Sequence, residues 1–166
     1  METLEASIAK HPFLVGLDSR FLALIAQCAR EVEFQPNDII FREGDPANCL
    51  YLIQSGKVVL ESRTGPNKRV PIQELQSGDA LGWSWLFPPF AWHFQARALT
   101  PVRMIACDGG HLLVTCEENP DFGYALMRRA AQVVIQRMQA ARKTLSTLGI
   151  GLETKRREER ARAARR

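Results

Sequence analysis

A chain of 166 residues, 46% of them hydrophobic, is long enough for one domain with a buried core and a short appendage. Its net charge is +4, and residues 152–166 hold seven basic and three acidic side chains, so the whole excess sits in the tail and the body is neutral. This argues against a DNA-reading basic face on the body, as the absence of an apolar run near ~20 residues argues against a bilayer span, and Glu2 and Glu5 against an export leader.

Cys28, Cys49, Cys107 and Cys116 stand singly among apolar neighbours, with no Cys-x-x-Cys pair. That pattern predicts reduced, buried thiols in a cytoplasmic protein and neither a metal nor an iron–sulfur site. The three His are far apart, which argues against a metal or haem cofactor at His93 or His111. No Ser/His/Asp or Cys/His nucleophile motif appears, so no catalytic residue is assigned and the chain is expected not to be an enzyme.

Along the chain, residues 4–12 suggest a short helix or lead-in, and His11-Pro12-Phe13-Leu14 an apolar docking segment. Asp18 is a good N-cap for a helix from Ser19 to about Arg30, with Phe21, Leu22, Ile25 and Cys28 on one face. From Glu31 to Leu81 the period falls to two. Short apolar runs alternate with turns at Pro36-Asn37-Asp38, Gly44-Asp45-Pro46, Ser55-Gly56 and Thr64-Gly65-Pro66-Asn67. Such spacing suggests a sandwich or barrel of the jelly-roll kind.

Residues 78–99 then gather all three Trp (Trp83, Trp85, Trp92) with Phe87, Phe90 and Phe94, the side chains that fill pockets and interfaces. Val102 to Ala106 reads as the last strand, Gly109-Gly110 as a turn and His111 to Glu118 as a short helix. Asn119-Pro120-Asp121 starts a long helix, expected to end near Leu148 at Gly149-Ile150-Gly151.

Phe41-Arg42-Glu43-Gly44-Asp45, followed by Tyr51-Leu52-Ile53-Gln54-Ser55-Gly56-Lys57-Val58, resembles the signature of the cyclic-nucleotide-binding domain of Crp/Fnr-type regulators. The resemblance runs from about Phe13 to Leu148, most of the chain. It implies a mainly β fold with α, a double-stranded β-helix or jelly roll with flanking helices and a long C-terminal dimerisation helix. The expected parts are a sensor domain over 13–118, a dimer helix over 119–148 and a basic tail over 149–166. Gly44, Asp45, Tyr51 and Gly56 are its fold-signature positions.

In that family a phosphate-binding cassette follows the strands. A Gly-Glu pair starts a short helix and the Glu holds the ribose hydroxyl; an Arg about ten residues on pairs with the cyclic phosphate. The matching stretch here is Gly82-Trp83-Ser84-Trp85, with Trp83 at the Glu position and Trp92 at the Arg position. Phe94 stands where a small Ala is usual. Arg97 is the nearest other cation, but strand alternation puts Trp92, Phe94, Ala96 and Ala98 on one face and Arg97 on the other. The ligand pocket is thus degenerate, and cyclic AMP or GMP is not expected to bind in the usual way. Two roles stay open for the rings: core filler in a closed pocket, or an altered pocket or protein-docking patch.

Met127, Ala131, Val134, Met138, Ala141, Leu145 and Leu148 recur at steps of four and three, a heptad seam that predicts a homodimer through this helix. No helix-turn-helix domain follows, which argues against specific DNA binding. The tail is either a solvated charge run or an electrostatic contact to an acidic partner. The expected function is a non-catalytic regulatory or ligand-sensing module with a protein partner. The alternatives are an accessory subunit of a larger, redox enzyme complex and a cyclic-nucleotide receptor with an altered pocket.

Overall fold

The structure, a computed structural model, describes residues 3–163, without the side chains of residue 144 and of residues 148–163. It divides into two units, Met1–Met127 and Arg128–Arg166. The first unit starts with helices α1 (Leu4–Lys10) and α2 (Ser19–Gln27), capped by the side chains of Thr3 and Asp18. The second helix ends three residues sooner than its apolar pattern suggests, because Ala29–Phe34 already forms strand β1. Strands β2 (Ile39–Phe41), β3 (Cys49–Ser55), β4 (Lys57–Gly65), β5 (Lys68–Gln76), β6 (Ala80–Leu81), β7 (Gln95–Ala98) and β8 (Val102–Asp108) follow.

The strands form two antiparallel sheets, β1-β8-β3-β6 and β2-β7-β4-β5. Alternating residues from both meet in one core: Tyr51 and Ile53 of β3, Val58 and Leu60 of β4, Ala96 and Ala98 of β7, Met104 and Ala106 of β8. The other face of the first sheet is also buried, through Leu50, Leu52, Ile105 and Cys107. Helices α1, α2 and α3 (Gly109–Glu118) pack against this sheet. Gly109 and Gly110, read as a turn, are the first residues of α3, capped by Asp108.

One signature glycine has a steric reason. Gly56 has φ +91°, and a Cβ there would lie 2.3 Å from the Pro101 carbonyl oxygen. His11 of the apolar lead-in is buried, its Nε2 3.1 Å from the Ile53 carbonyl, so that segment docks on β3.

Helix α4 runs from Pro120 to Ala163. It passes through Gly149 and Gly151, where the sequence predicts a stop. An isolated Gly costs a helix only about 1 kcal/mol, and no Pro follows to enforce an end. The expected helix end near Leu148 is therefore corrected: the helix continues to Ala163. Of the seam, Met127, Val134, Met138 and Leu145 are 42–69% exposed, and Ala131 and Ala141 are exposed too. The side chain of Leu148 and the charges of the tail lie outside the described residues. No helix among the described residues is long and apolar enough to cross a membrane.

Candidate functional site

The residues singled out in the cassette do not stay together; they separate into three environments. Trp92 goes inside. Its ring lies 3.9 Å from that of Phe41 at 15°, and Phe41 in turn stands 6.1 Å from Tyr51 at 26°, so the three rings make a stack in the core. Trp92 is 4% exposed. Backbone bonds fix it there: Gly44 N–H donates to the Trp92 carbonyl at 2.8 Å, and Trp92 N–H donates to the Asp45 carbonyl at 2.9 Å. The Gly44-Asp45 turn, with Gly44 at φ +92°, is thus the clamp that holds the ring.

Gly82 is the floor under that ring. Its φ is +90°, and a Cβ would sit 2.6 Å from the Cys49 carbonyl and 3.1 Å from the Trp92 indole. The close approach of backbone to ring explains why glycine occupies this position. Burial also pushes the Tyr51 hydroxyl's pKa upward, so it stays neutral beside the stack.

Trp83, Ser84 and Trp85 stand apart from the stack. Residues 84–86 form one 3-10 turn, the short helix the cassette implies. Trp83 packs at 5.1 Å on Phe13, and Trp85 is buried under Gly109 of α3, where a Cβ would fall 2.7 Å from the indole. Ser84 Oγ is 3.2 Å from His93 Nδ1. The indole N–H groups of Trp83 and Trp85 are buried with no protein acceptor. These rings fill space by shape, and each orphan donor costs about 1–3 kcal/mol.

Phe94 departs from the expected alternation. Strand β7 begins only at Gln95, so Phe94 precedes the pleat and is 40% exposed, as are Phe87 (54%) and Phe90 (42%). Phe90 holds φ +56°, a conformation a bulky residue adopts at a cost of about 1–2 kcal/mol. The Ala47 N–H bond to its carbonyl at 2.7 Å helps to hold it. That reversal sends Phe90 outward and lets Trp92 turn in two residues later.

Arg97 faces away from the stack, as alternation predicts. Its Nε donates to Glu61 Oε1 at 3.2 Å, and its Nη1 to Asn37 Oδ1 at 3.3 Å. Gln95 Nε2 donates to Glu61 Oε2 at 3.0 Å. The Arg97 guanidinium, chiefly by these hydrogen bonds, holds the Glu61 carboxyl below its ordinary value. Sequence patterning did not single out Phe41 or Glu61 as site residues. The signals were present: Phe41 precedes the Gly44 turn that clamps Trp92, and Glu61 is an acid continuing the apolar run of β4.

Two sheets closed over one apolar core, with a short helical turn between β6 and β7, define a small jelly-roll domain. Residues 31–119 match the Cyclic nucleotide-binding domain family, and the chain belongs to it. A CRP-like cAMP-activated global transcriptional regulator of Mycobacterium tuberculosis is 23% identical over 145 residues, 87% of this chain and 63% of the regulator. This chain therefore spans less than two thirds of that relative's length. A Geobacter metallireducens chain assigned as a cyclic nucleotide-binding protein has a crystal structure that matches with TM-score 0.74 and 27% identity, over 82% of this chain and 99% of that one. The regulatory subunit of a cAMP-independent protein kinase A from Trypanosoma brucei matches with TM-score 0.61 and 26% identity, over 75% and 44%.

Proposed function

We propose that this chain is a non-catalytic regulatory module whose nucleotide pocket is occupied by its own Trp92 ring. On this reading it does not take cyclic AMP or cyclic GMP as the family's receptors do. The observation that carries the proposal is the Phe41–Trp92 stack over Gly82, with Arg97 engaged by Glu61 on the far side of β7. A cyclic phosphate entering the core would find indole where it needs a cation, at a cost of several kcal/mol.

The module acts through protein surfaces. The exposed apolar seam of α4 supports a homodimer through that helix. The exposed Phe87, Phe90 and Phe94 support a protein partner at the loop beside the closed pocket. Thermal melting with cyclic AMP and cyclic GMP tests the first part. A receptor at a hundredfold excess over Kd would gain about 2.7 kcal/mol, a midpoint rise of roughly 5–10 °C; the expected rise here is none. Light scattering tests the second: the expected species is a dimer, and Met138→Glu in the seam is expected to release monomers that keep the melting profile of the body.

A further inference from the structure

The junction of α2 and β1 holds a pair of side chains that the closed pocket does not use. Alternation along β8 sends Met104 and Ala106 into the core between the sheets and Ile105 and Cys107 to the opposite face, where both are fully buried. Cys28, the C-cap of α2, stands at the start of the β1–β8 ladder next to Cys107, and its Sγ donates to the Ile25 carbonyl at 3.3 Å. The Asp108 N–H donates to the Cys28 carbonyl at 3.1 Å, and the next rung of the ladder pairs Ala29 with Cys107. Directly opposed residues of such a ladder stand about 4.5–5.5 Å apart, and a disulfide needs Cα atoms about 4.4–6.8 Å apart. Cys28 and Cys107 are one step off direct register, and each thiol shifts the titration of the other.

The two thiols differ in the way a stepwise oxidation needs. Cys28 is half-buried and open to a small oxidant, whereas Cys107 is sealed. The Cys107 thiol, helped by the amides of Asp108 and Cys28, lowers the Cys28 pKa; burial and the Asp108 carboxylate oppose this. Cys107 is held far above its ordinary value, first by the Cys28 thiol and then by burial. Cys49 lies on the core side of the sheet with Tyr51 and Ile53, and Cys116 is on α3. All four cysteines are free, and the expectation that they are buried is corrected at Cys28 and Cys116, which are half-buried.

We propose that Cys28 and Cys107 form a hydroperoxide-sensitive dithiol that closes into an intramolecular disulfide. The Cys28 thiolate attacks one peroxide oxygen, the O–O bond breaks, and the leaving oxygen takes a proton to depart as water or an alcohol. The Cys107 sulfur then attacks the Cys28 sulfenic sulfur. The S–O bond breaks, and the Cys107 proton leaves with the hydroxide as water. Two thiols lose two electrons and one peroxide is reduced.

The test treats the full chain with a small excess of hydrogen peroxide, alkylates the remaining thiols and maps the peptides. The expected product has lost two hydrogens, links the Cys28 and Cys107 peptides, and reverts with dithiothreitol. Closing a loop of about 80 residues is expected to raise the melting midpoint by roughly 5–15 °C. Cys28→Ser is expected to abolish the link and the rise, and Cys49→Ser to keep both. These two variants suffice even if Cys107→Ser does not fold. The proposal is overturned by oxygen added to Cys28 while Cys107 still alkylates, by a link through Cys49 or Cys116 or between chains, or by thiols that survive the treatment unchanged.

Discussion

The two faces of β7 carry opposite chemistry within four residues. Toward the core stand Ala96 and Ala98, fully buried, with the Trp92 ring beside them. Outward stand Gln95 and Arg97, both spent on Glu61. The small alanines leave the volume that the indole fills, and the polar face neutralises itself locally. The pair of faces teaches that a cation close in sequence to a pocket need not serve it. The pleat assigns Arg97 to the wrong side, and a buried carboxylate keeps it there.

The inner face should be the more fragile of the two. Trp92→Ala removes a core ring and is expected to cost about 3–5 kcal/mol in chemical denaturation. Gly82→Ala adds a Cβ against the Cys49 carbonyl and the indole at positive φ, with an expected cost of about 2–3 kcal/mol. A loss below 1 kcal/mol for either would mean that the ring is free to move aside, and the contrast between the faces would collapse.

The outer face should respond mildly and through pH. Glu61→Gln keeps the shape but drops the charge, and is expected to cost about 1–2 kcal/mol near neutrality. The Glu61 carboxyl titrates lower folded than unfolded. Its stabilisation is therefore present above the unfolded value of about 4.3 and lost as pH falls through the lower folded value. Melting from pH 6 to pH 3 should show a shallower acid decline for Glu61→Gln than for the parent chain. Phe94→Ser, on the rim between the faces, is expected to change stability by less than about 0.5 kcal/mol, while weakening any partner seated on the exposed rings.

Much of the β-roll was legible because its signals are local. Gly44 and Gly56 mark turns that only glycine makes easily, and the alternation of Tyr51 and Ile53 places both inward. The outward direction of Arg97 followed from the same alternation. Phe94 escaped it because the strand starts one residue later, after a turn set by Phe90 at positive φ, which no periodicity announces. The stack on Phe41 was hidden for a different reason: the ring comes from a distant strand, and only the ladder brings it to Trp92. The end of α4 failed as a prediction because two glycines weaken a helix without stopping it. The proposed Cys28–Cys107 pair joins residues far apart in sequence, brought near by the β1–β8 ladder, so single cysteines looked unrelated.

The interior occupancy of Trp92 is tested most directly by the indole N–H signals of the three tryptophans in a 15N-labelled sample, followed while cyclic AMP and then cyclic GMP are titrated in. All three signals are expected to stay where they are up to millimolar nucleotide. A saturable shift of the Trp92 signal at micromolar nucleotide, absent in Trp92→Phe, would show the ring yielding its place to a ligand and would contradict the account.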